Sequence, residues 1–224
     1  MQKSEYFKRQ IQLWGEDTQE SLSAKKIAII GSGGLGSTLA IALGTSGIGE
    51  IDMVDFDIVS LHNIHRQIAF KLDDESRSKS KTVAKLIESK NPFVKIEAYD
   101  MSFDEFSQLQ NRYDLILDAT DNLPVREKID IYAKSTNTPW IYASVEEFNG
   151  QVCFFEKAEF QVFNISDHKP GGITAPMVMH IGSLQATIAL RYLAGLSVER
   201  DKLYYIYFND NGELITQKFG MPKA

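Results

Sequence analysis

The chain has one cysteine, Cys153, in 224 residues. A lone thiol excludes an internal disulfide and any zinc site built from Cys-x-x-Cys pairs. An excess of cations is also missing: 24 Lys and Arg stand against 30 Asp and Glu, for a net charge of −6. Binding to a phosphate backbone needs clustered Lys and Arg, so nucleic acid is excluded as the principal partner. Long apolar runs are absent too. The N-terminal MQKSEYFKRQIQLWGED is polar and mixed in charge, which predicts neither a signal peptide nor a membrane anchor. The least polar stretch, Ile173–Leu196, is interrupted by His180, Gln185 and Arg191 and reads as a buried helix, not a membrane span. These absences together lead us to expect a cytoplasmic protein with no membrane partner.

What is present suffices for a large core, since 43% of the residues are hydrophobic. The run Lys26–Ile30 is β-branched and enters a Gly-rich turn, and a helical pattern follows through Ala42. Further strands are predicted at Ile51–Val54, Val94–Ala98, Leu115–Leu117 and Trp140–Ala143. Helices are predicted between them at Lys79–Lys90, Asp104–Leu109 and Val125–Lys134, the first of these stopped by Asn91-Pro92. Strands alternating with helices predict an α/β fold, a Rossmann-like, mostly parallel sheet with helices on both faces. After Ala143 the pattern changes to a strand Gln151–Phe155, an irregular loop Lys157–Ala175, a helix Val178–Leu193 and two strands joined by Asn209-Asp210-Asn211-Gly212, good hairpin chemistry. The expectation is one domain over residues 1–224, with a nucleotide-binding part at 1–145 and an antiparallel extension at 146–224. The long loop is the piece expected to move and cover a ligand.

Gly31, Gly33 and Gly36 match G-x-G-x-x-G between a strand and a helix, where glycines let the backbone approach a phosphate. Asp55 closes the second strand about twenty residues on, placed to accept from a ribose. NAD, FAD and ATP all fit these residues. The segment Asp55-Phe56-Asp57-Ile58-Val59-Ser60-Leu61-His62-Asn63-Ile64-His65-Arg66-Gln67 discriminates, because a dinucleotide has little need for its polar cluster whereas a triphosphate does. Lys79 opens the next helix and could reach the same cleft, and Asp118-Ala119-Thr120-Asp121-Asn122 ends a strand in acidic and amide groups. Arg66 or Lys79 alone would read as a surface cation; together with Asp121 on one rim they read as a site. A carboxylate there is a natural magnesium contact.

The sequence resembles the ThiF/MoeB/HesA family, bacterial relatives of ubiquitin-activating enzymes. The resemblance rests on Tyr6–Ile11, Gly31–Gly36, Asp55-Phe56-Asp57, Asn63–Gln67, Thr120-Asp121-Asn122, Gly150-Gln151-Val152 and Ile181–Gln185, which span nearly the whole chain in the family's order. It implies that ATP is bound by Gly31, Gly33, Gly34, Gly36, Asp55, Asp57, Asn63, Arg66, Gln67, Lys79, Asp121 and Asn122. Arg66, Lys79, Asp121 and Arg9 are then the catalytic groups, Asp121 organising magnesium held through ATP. Arg9 alone would be a salt-bridging helix residue. The resemblance places it across a homodimer interface in the neighbouring site. It further implies an adenylyltransferase that activates the C-terminal Gly-Gly carboxylate of a ubiquitin-like sulfur carrier, ThiS- or MoaD-type, for thiamine or molybdopterin synthesis. Many relatives carry two Cys-x-x-Cys zinc pairs. Here the loop Lys157–Ala175 has no cysteine, His168 receives no role, Cys153 reads as a core residue, and sulfur transfer is expected from a separate protein.

Other readings stay open on the residues alone. A nicotinamide-dependent oxidoreductase explains Gly31–Gly36 and Asp55 but leaves Asn63, Arg66, Lys79 and Asp121 without a task. A non-catalytic subunit would not retain the ATP set. A carboxylate-activating dehydratase acting on modified tRNA fits the acidic balance and Gly150-Gln151-Val152 less well.

Overall fold

The computed structural model describes residues 1–160 and 171–222. Helices α1 (Lys3–Tyr6), α2 (Lys8–Trp14) and α3 (Glu16–Leu22) precede β1 (Lys26–Ile30) and α4 (Gly34–Gly44). Next come β2 (Glu50–Val54), α5 (Leu61–Ile64), a 3-10 turn, α6 (Lys79–Lys90), β3 (Lys95–Tyr99), α7 (Phe103–Ser107), β4 (Leu115–Asp118), α8 (Leu123–Ser135) and β5 (Trp140–Glu146). The chain continues through β6 (Asn149–Phe155), α9 (Ala175–Leu193), β7 (Lys202–Phe208) and β8 (Leu214–Gly220). The eight strands make one sheet in the order β3-β2-β1-β4-β5-β6-β7-β8. Pairing is parallel from β3 to β5 and antiparallel from β5 to β8.

Alternation along each strand sends side chains to two separate cores. Ile27 and Ile29 of β1 join Leu39, Leu43, Val83, Ile87 and Ile181 beneath α4, α6 and α9. Ala28 and Ile30 join Phe106, Ile129, Ala133 and Trp140 beneath α7 and α8. Helices cover both faces, as a parallel sheet requires. The mostly parallel α/β sheet with an antiparallel C-terminal extension is therefore the predicted fold. No helix among the described residues is long and apolar enough to cross a membrane.

The structure shifts most element ends by a residue or two and departs further from expectation at α3, β5 and α9. Helix α3 went unpredicted because it is polar, with Gln19 and Leu22 its buried residues. Strand β5 runs beyond Ala143 because β6 pairs with it as far as Glu146↔Asn149. Helix α9 starts at Ala175, ahead of the expected Val178, since Pro176 is compatible with a first helical turn. The expected loop Lys157–Ala175, with His168 in it, falls largely on residues 161–170, which lie outside the described residues. At its described end the Gly171 N–H donates to the Glu146 carboxylate over 2.7 Å and the Glu147 N–H donates to the Gly172 carbonyl over 2.7 Å.

Candidate functional site at the strand ends

Helices α6, α7 and α8 lie on opposite faces, and the strand order reverses direction between β1 and β4, so a crevice opens where those two strands end. Gly31 forms its floor. It has φ +99°, and a Cβ there would lie 2.6 Å from the Ala119 carbonyl oxygen, so no other residue lets the two strand ends approach this closely. Its N–H donates to Val54 O over 2.8 Å, while Ala119 N–H donates to Ile30 O over 2.8 Å. Gly36, one helical turn into α4, is held against this turn: a Cβ on it would meet Gly31 O at 2.0 Å. The N-terminus of α4 is thus pressed directly against β1, its amide groups facing the crevice.

Asp55 sits at the end of β2 and organises the wall. One carboxylate oxygen accepts from the Ser32 N–H at 2.6 Å and the other from the Asp57 N–H at 2.8 Å. Burial pushes the Asp55 carboxyl up from its ordinary range, opposed by those two amides and by the nearby Lys79 charge. Lys79 opens α6 with its side chain almost wholly buried, and its ammonium donates to Asp57 Oδ2 at 2.9 Å. The Ser80 hydroxyl donates to the Asp55 carbonyl, so α6 begins on the same rim.

The polar segment after Asp55 folds over the Gly-rich turn. Asn63 is buried and its Oδ1 accepts from Arg66 Nη2 at 3.1 Å, while Arg66 Nη1 donates to His62 O at 3.2 Å. The Gln67 Nε2 is 3.4 Å from where a Cβ on Gly33 would stand. Gly34 abuts the Val178 side chain and, at 3.5 Å from its missing Cβ, the Arg66 carbonyl. Thr120 N lies 3.2 Å from the position of a Cβ on Gly31, which brings the exposed Asp121 to the opposite lip. Asn122 stands beside it, its side-chain oxygen capping α8 by accepting from Val125 N–H.

The structure therefore brings together Gly31–Gly36, Asp55, Asp57, Asn63, Arg66, Gln67 and Lys79, with Asp121 and Asn122 facing them. Arg9 is elsewhere. Helix α2 packs at the far end of α4 and α6, where Gln10 Nε2 donates to Ser46 O at 2.9 Å and the Tyr6 hydroxyl to Lys90 O at 2.9 Å. The length of α4 separates Arg9 from the turn of its own chain, about 16 Å at 1.5 Å per residue.

Sequence reasoning passed over several groups. Asp118, Arg126 and Gln185 are buried, and the first two bond Thr120, the neighbour of Asp121. Arg126 Nε donates to Asp118 Oδ2 at 3.0 Å, and its guanidinium lies 5.0 Å from the centre of the Tyr142 ring. Burial pushes the Asp118 carboxyl up, against the pull of Arg126 and Thr120. Ser32 Oγ, Gln67 Oε1 and Gln185 Oε1 are buried without a hydrogen-bond partner, the first two at the Gly-rich turn and the third in the core under β4 and β5. A groove of about 800 Å³ lies on the outer side of α6, between Phe70, Leu86 and a rim of Lys71, Arg77, Lys81 and Lys85. It contains none of the predicted site residues; those stand at the strand-end crevice, where N–H donors and carboxylates converge.

Comparison with known proteins identifies the family. Residues 7–223 match the model of the ThiF family. The chain is 31% identical over 199 residues to "Adenylyltransferase and sulfurtransferase MOCS3" of Caenorhabditis briggsae, covering 82% of this chain and 49% of that protein. The chain thus spans about half the length of this relative. It is also 31% identical over 199 residues to "Sulfur carrier protein ThiS adenylyltransferase" of Escherichia coli K12, covering 84% of this chain and 79% of that one. Among solved structures, that of PaaA shares the fold, with a TM-score of 0.83 at 23% identity over 99% of this chain and 74% of that chain. The chain belongs to the ThiF family.

Proposed function

We propose that this protein adenylates the C-terminal Gly-Gly carboxylate of a small ubiquitin-like sulfur carrier, using ATP with magnesium and releasing pyrophosphate. The observation that carries the reading is the convergence of the Gly31–Gly36 turn, Asp55, the Asn63–Gln67 segment and Lys79 on one crevice, with Asp121 across from them. The relatives' names support the substrate class, one of them specifying ThiS.

The residues present suit a nucleotide. Two side-chain atoms at the turn, Ser32 Oγ and Gln67 Oε1, lack a partner among the described residues, and a Cβ on Gly33 would meet Gln67 alone of them within 4 Å. Asp55 would accept from the ribose hydroxyls. The amides opening α4, with Asn63 and the planar fork of Arg66, would hold the phosphates. Lys79 would exchange its contact with Asp57 for a phosphate oxygen. Asp121 would hold magnesium, which when bound neutralises phosphate charge and is typically kept by one or two carboxylates plus phosphate oxygens. A carrier carboxylate oxygen bonds to the α-phosphorus as the bond from that phosphorus to its bridging oxygen breaks, and pyrophosphate carries away the electron pair. The step needs alignment and charge stabilisation and no protein nucleophile. Cys153 agrees with this, being fully buried with its thiol pushed far above the usual range by desolvation. Sulfur transfer falls to a separate protein.

The working unit in this reading is a homodimer in which Arg9 of each protomer completes the partner's site. The distance of Arg9 from its own Gly-rich turn supports that assignment. The test is carrier-dependent exchange of pyrophosphate into ATP, with ThiS-type and MoaD-type carriers in parallel. Asp121→Ala should retain its melting temperature and lose exchange by about 10²-fold or more. Mixing Arg9→Ala with Asp121→Ala chains should restore exchange, because each heterodimer regains one intact site. Normal exchange in Asp121→Ala sinks the site assignment, and no recovery after verified chain exchange sinks the dimer.

A further inference from the structure

Thr120 is the residue before Asp121, and all its polar groups are tied to one buried ion pair. Its N–H donates to Asp118 Oδ1 at 2.9 Å and its hydroxyl to the same oxygen at 2.7 Å. Its carbonyl accepts from Arg126 Nη2, which also donates to Ala143 O at 3.2 Å. Arg126 Nε closes the ring by donating to the second oxygen of Asp118 at 3.0 Å. Below, Gln185 Nε2 donates to both Asp118 O at 2.8 Å and Ile141 O at 3.0 Å, joining β4 to β5 where the two strands diverge.

We propose that Arg126, through Asp118, is a positioning residue that fixes the Thr120–Asn122 turn and so the reach of the Asp121 carboxylate. This rests on the adenylation reading of the same crevice. Arg126 is itself 5% exposed and faces away from solvent, so it is not a phosphate contact. Stability alone is a weak reason for its presence, because well-packed apolar residues commonly replace a buried ion pair without loss. An apolar pair could not hold three polar groups of one residue in a fixed orientation. Arg126 bonds the turn on the β5 side and Asp118 on the β4 side, while Asn122 anchors the following residue to α8. A metal-contacting carboxylate placed on such a turn has its reach defined to within a fraction of an ångström, the tolerance that metal sites require.

Arg126→Lys keeps the charge and loses the fork. Two measurements on the variant of the whole 224-residue chain decide the matter. The first is amide hydrogen exchange: Thr120, whose N–H donates to Asp118, should exchange faster, while Ile116 and Leu117 in β4 stay protected. The second is binding of a non-hydrolysable ATP analogue against magnesium concentration, where half-saturation should rise about tenfold. Protection at Thr120 equal to the unaltered protein overturns the proposal. So does a uniform loss of protection through β4, which would make Arg126 a core residue only. If Arg126→Lys fails to fold, Thr120→Val removes one of the three bonds from the accessible side and should give the same two changes in smaller measure; unchanged magnesium dependence there overturns the proposal. If the unaltered protein shows no carrier-dependent pyrophosphate exchange, the adenylation reading fails instead, and the amide result still stands or falls independently.

Discussion

The parallel part of the sheet and its antiparallel continuation use their strands differently. In β1 and β4 every residue but Lys26 is buried, because helices lie on both faces. In β8 six of the seven residues are exposed, and Leu214 and Phe219 keep about half of their surface in water. The first region is held by packing, down to backbone contacts that only glycine permits. The second is held by its ladder to β7 and by surface charges, with Glu199 bonded to Lys202, Lys218 and Tyr204. The candidate site groups stand at the ends of the first kind of strand. Rigidity there comes from what surrounds the backbone, and the contrast teaches that the site's precision is inherited from the core beneath it.

Glycine substitution tests that contrast most severely. Gly36→Ala should destabilise by about 3 kcal/mol, at the upper end for overpacking, because its Cβ would collide with Gly31 O at 2.0 Å. Gly220→Ala meets nothing within 4 Å and should stay within about 0.5 kcal/mol of the unaltered protein. Urea unfolding of both decides it, and equal losses would dissolve the distinction.

Cys153→Ser probes the boundary between the two regions, since β6 pairs with β5 on one side and β7 on the other. Placing a hydroxyl at this fully buried position should cost about 1–2 kcal/mol. Carrier-dependent pyrophosphate exchange should be unchanged, and so should its indifference to zinc chelators. Loss of exchange in a folded variant would show that the thiol has a chemical role.

The smallest expected effect is electrostatic. Glu199 is held at about 2, below its ordinary 4.5, by hydrogen bonds from Lys218, Tyr204 and Lys202. A carboxylate lowered on folding stabilises the fold fully above its unfolded value, and that contribution disappears as the pH falls from 4.5 towards 2. Glu199→Gln should therefore flatten the stability–pH curve within that window, with a small loss of stability at neutral pH that vanishes as the pH approaches 2 and fades with added salt. Asp55 carries the opposite sign. Burial raises its carboxyl, so the charged form opposes folding, and the penalty is relieved as the pH falls through the raised value. A curve unaltered by Glu199→Gln would mean that the surface cluster does nothing for the antiparallel end.

Local pattern made much of this legible. β1 and α6 start and stop where β-branching and the Asn91-Pro92 stop place them. The Gly-rich turn, Asp55 and the Asn63–Gln67 segment could be assigned to one site because their order along the chain is itself informative. Contacts between distant residues were not legible. Nothing in the sequence shows that Lys79 bonds Asp57, or that Arg9 sits at the opposite end of α4 from the turn. The extra length of β5 is set by register with β6, which no single-strand pattern encodes. Arg126 could have been found: α8 buries Arg126, Ile129, Asp130 and Ala133, a helical stripe in which two ionisable groups occupy core positions. A charge on such a stripe calls for a buried partner, and Asp118 was eight residues away.

The pressure of Gly36 on Gly31, and of Gly31 on Ala119, also governs what binding demands of the chain. A turn wedged between two backbones has no second shape to visit. A ligand arriving at the crevice meets amides already oriented, so little conformational entropy is lost when it settles. If the crevice takes the nucleotide proposed above, affinity there should follow the ligand's own chemistry, with no delay in the on-rate for rearranging that side of the crevice.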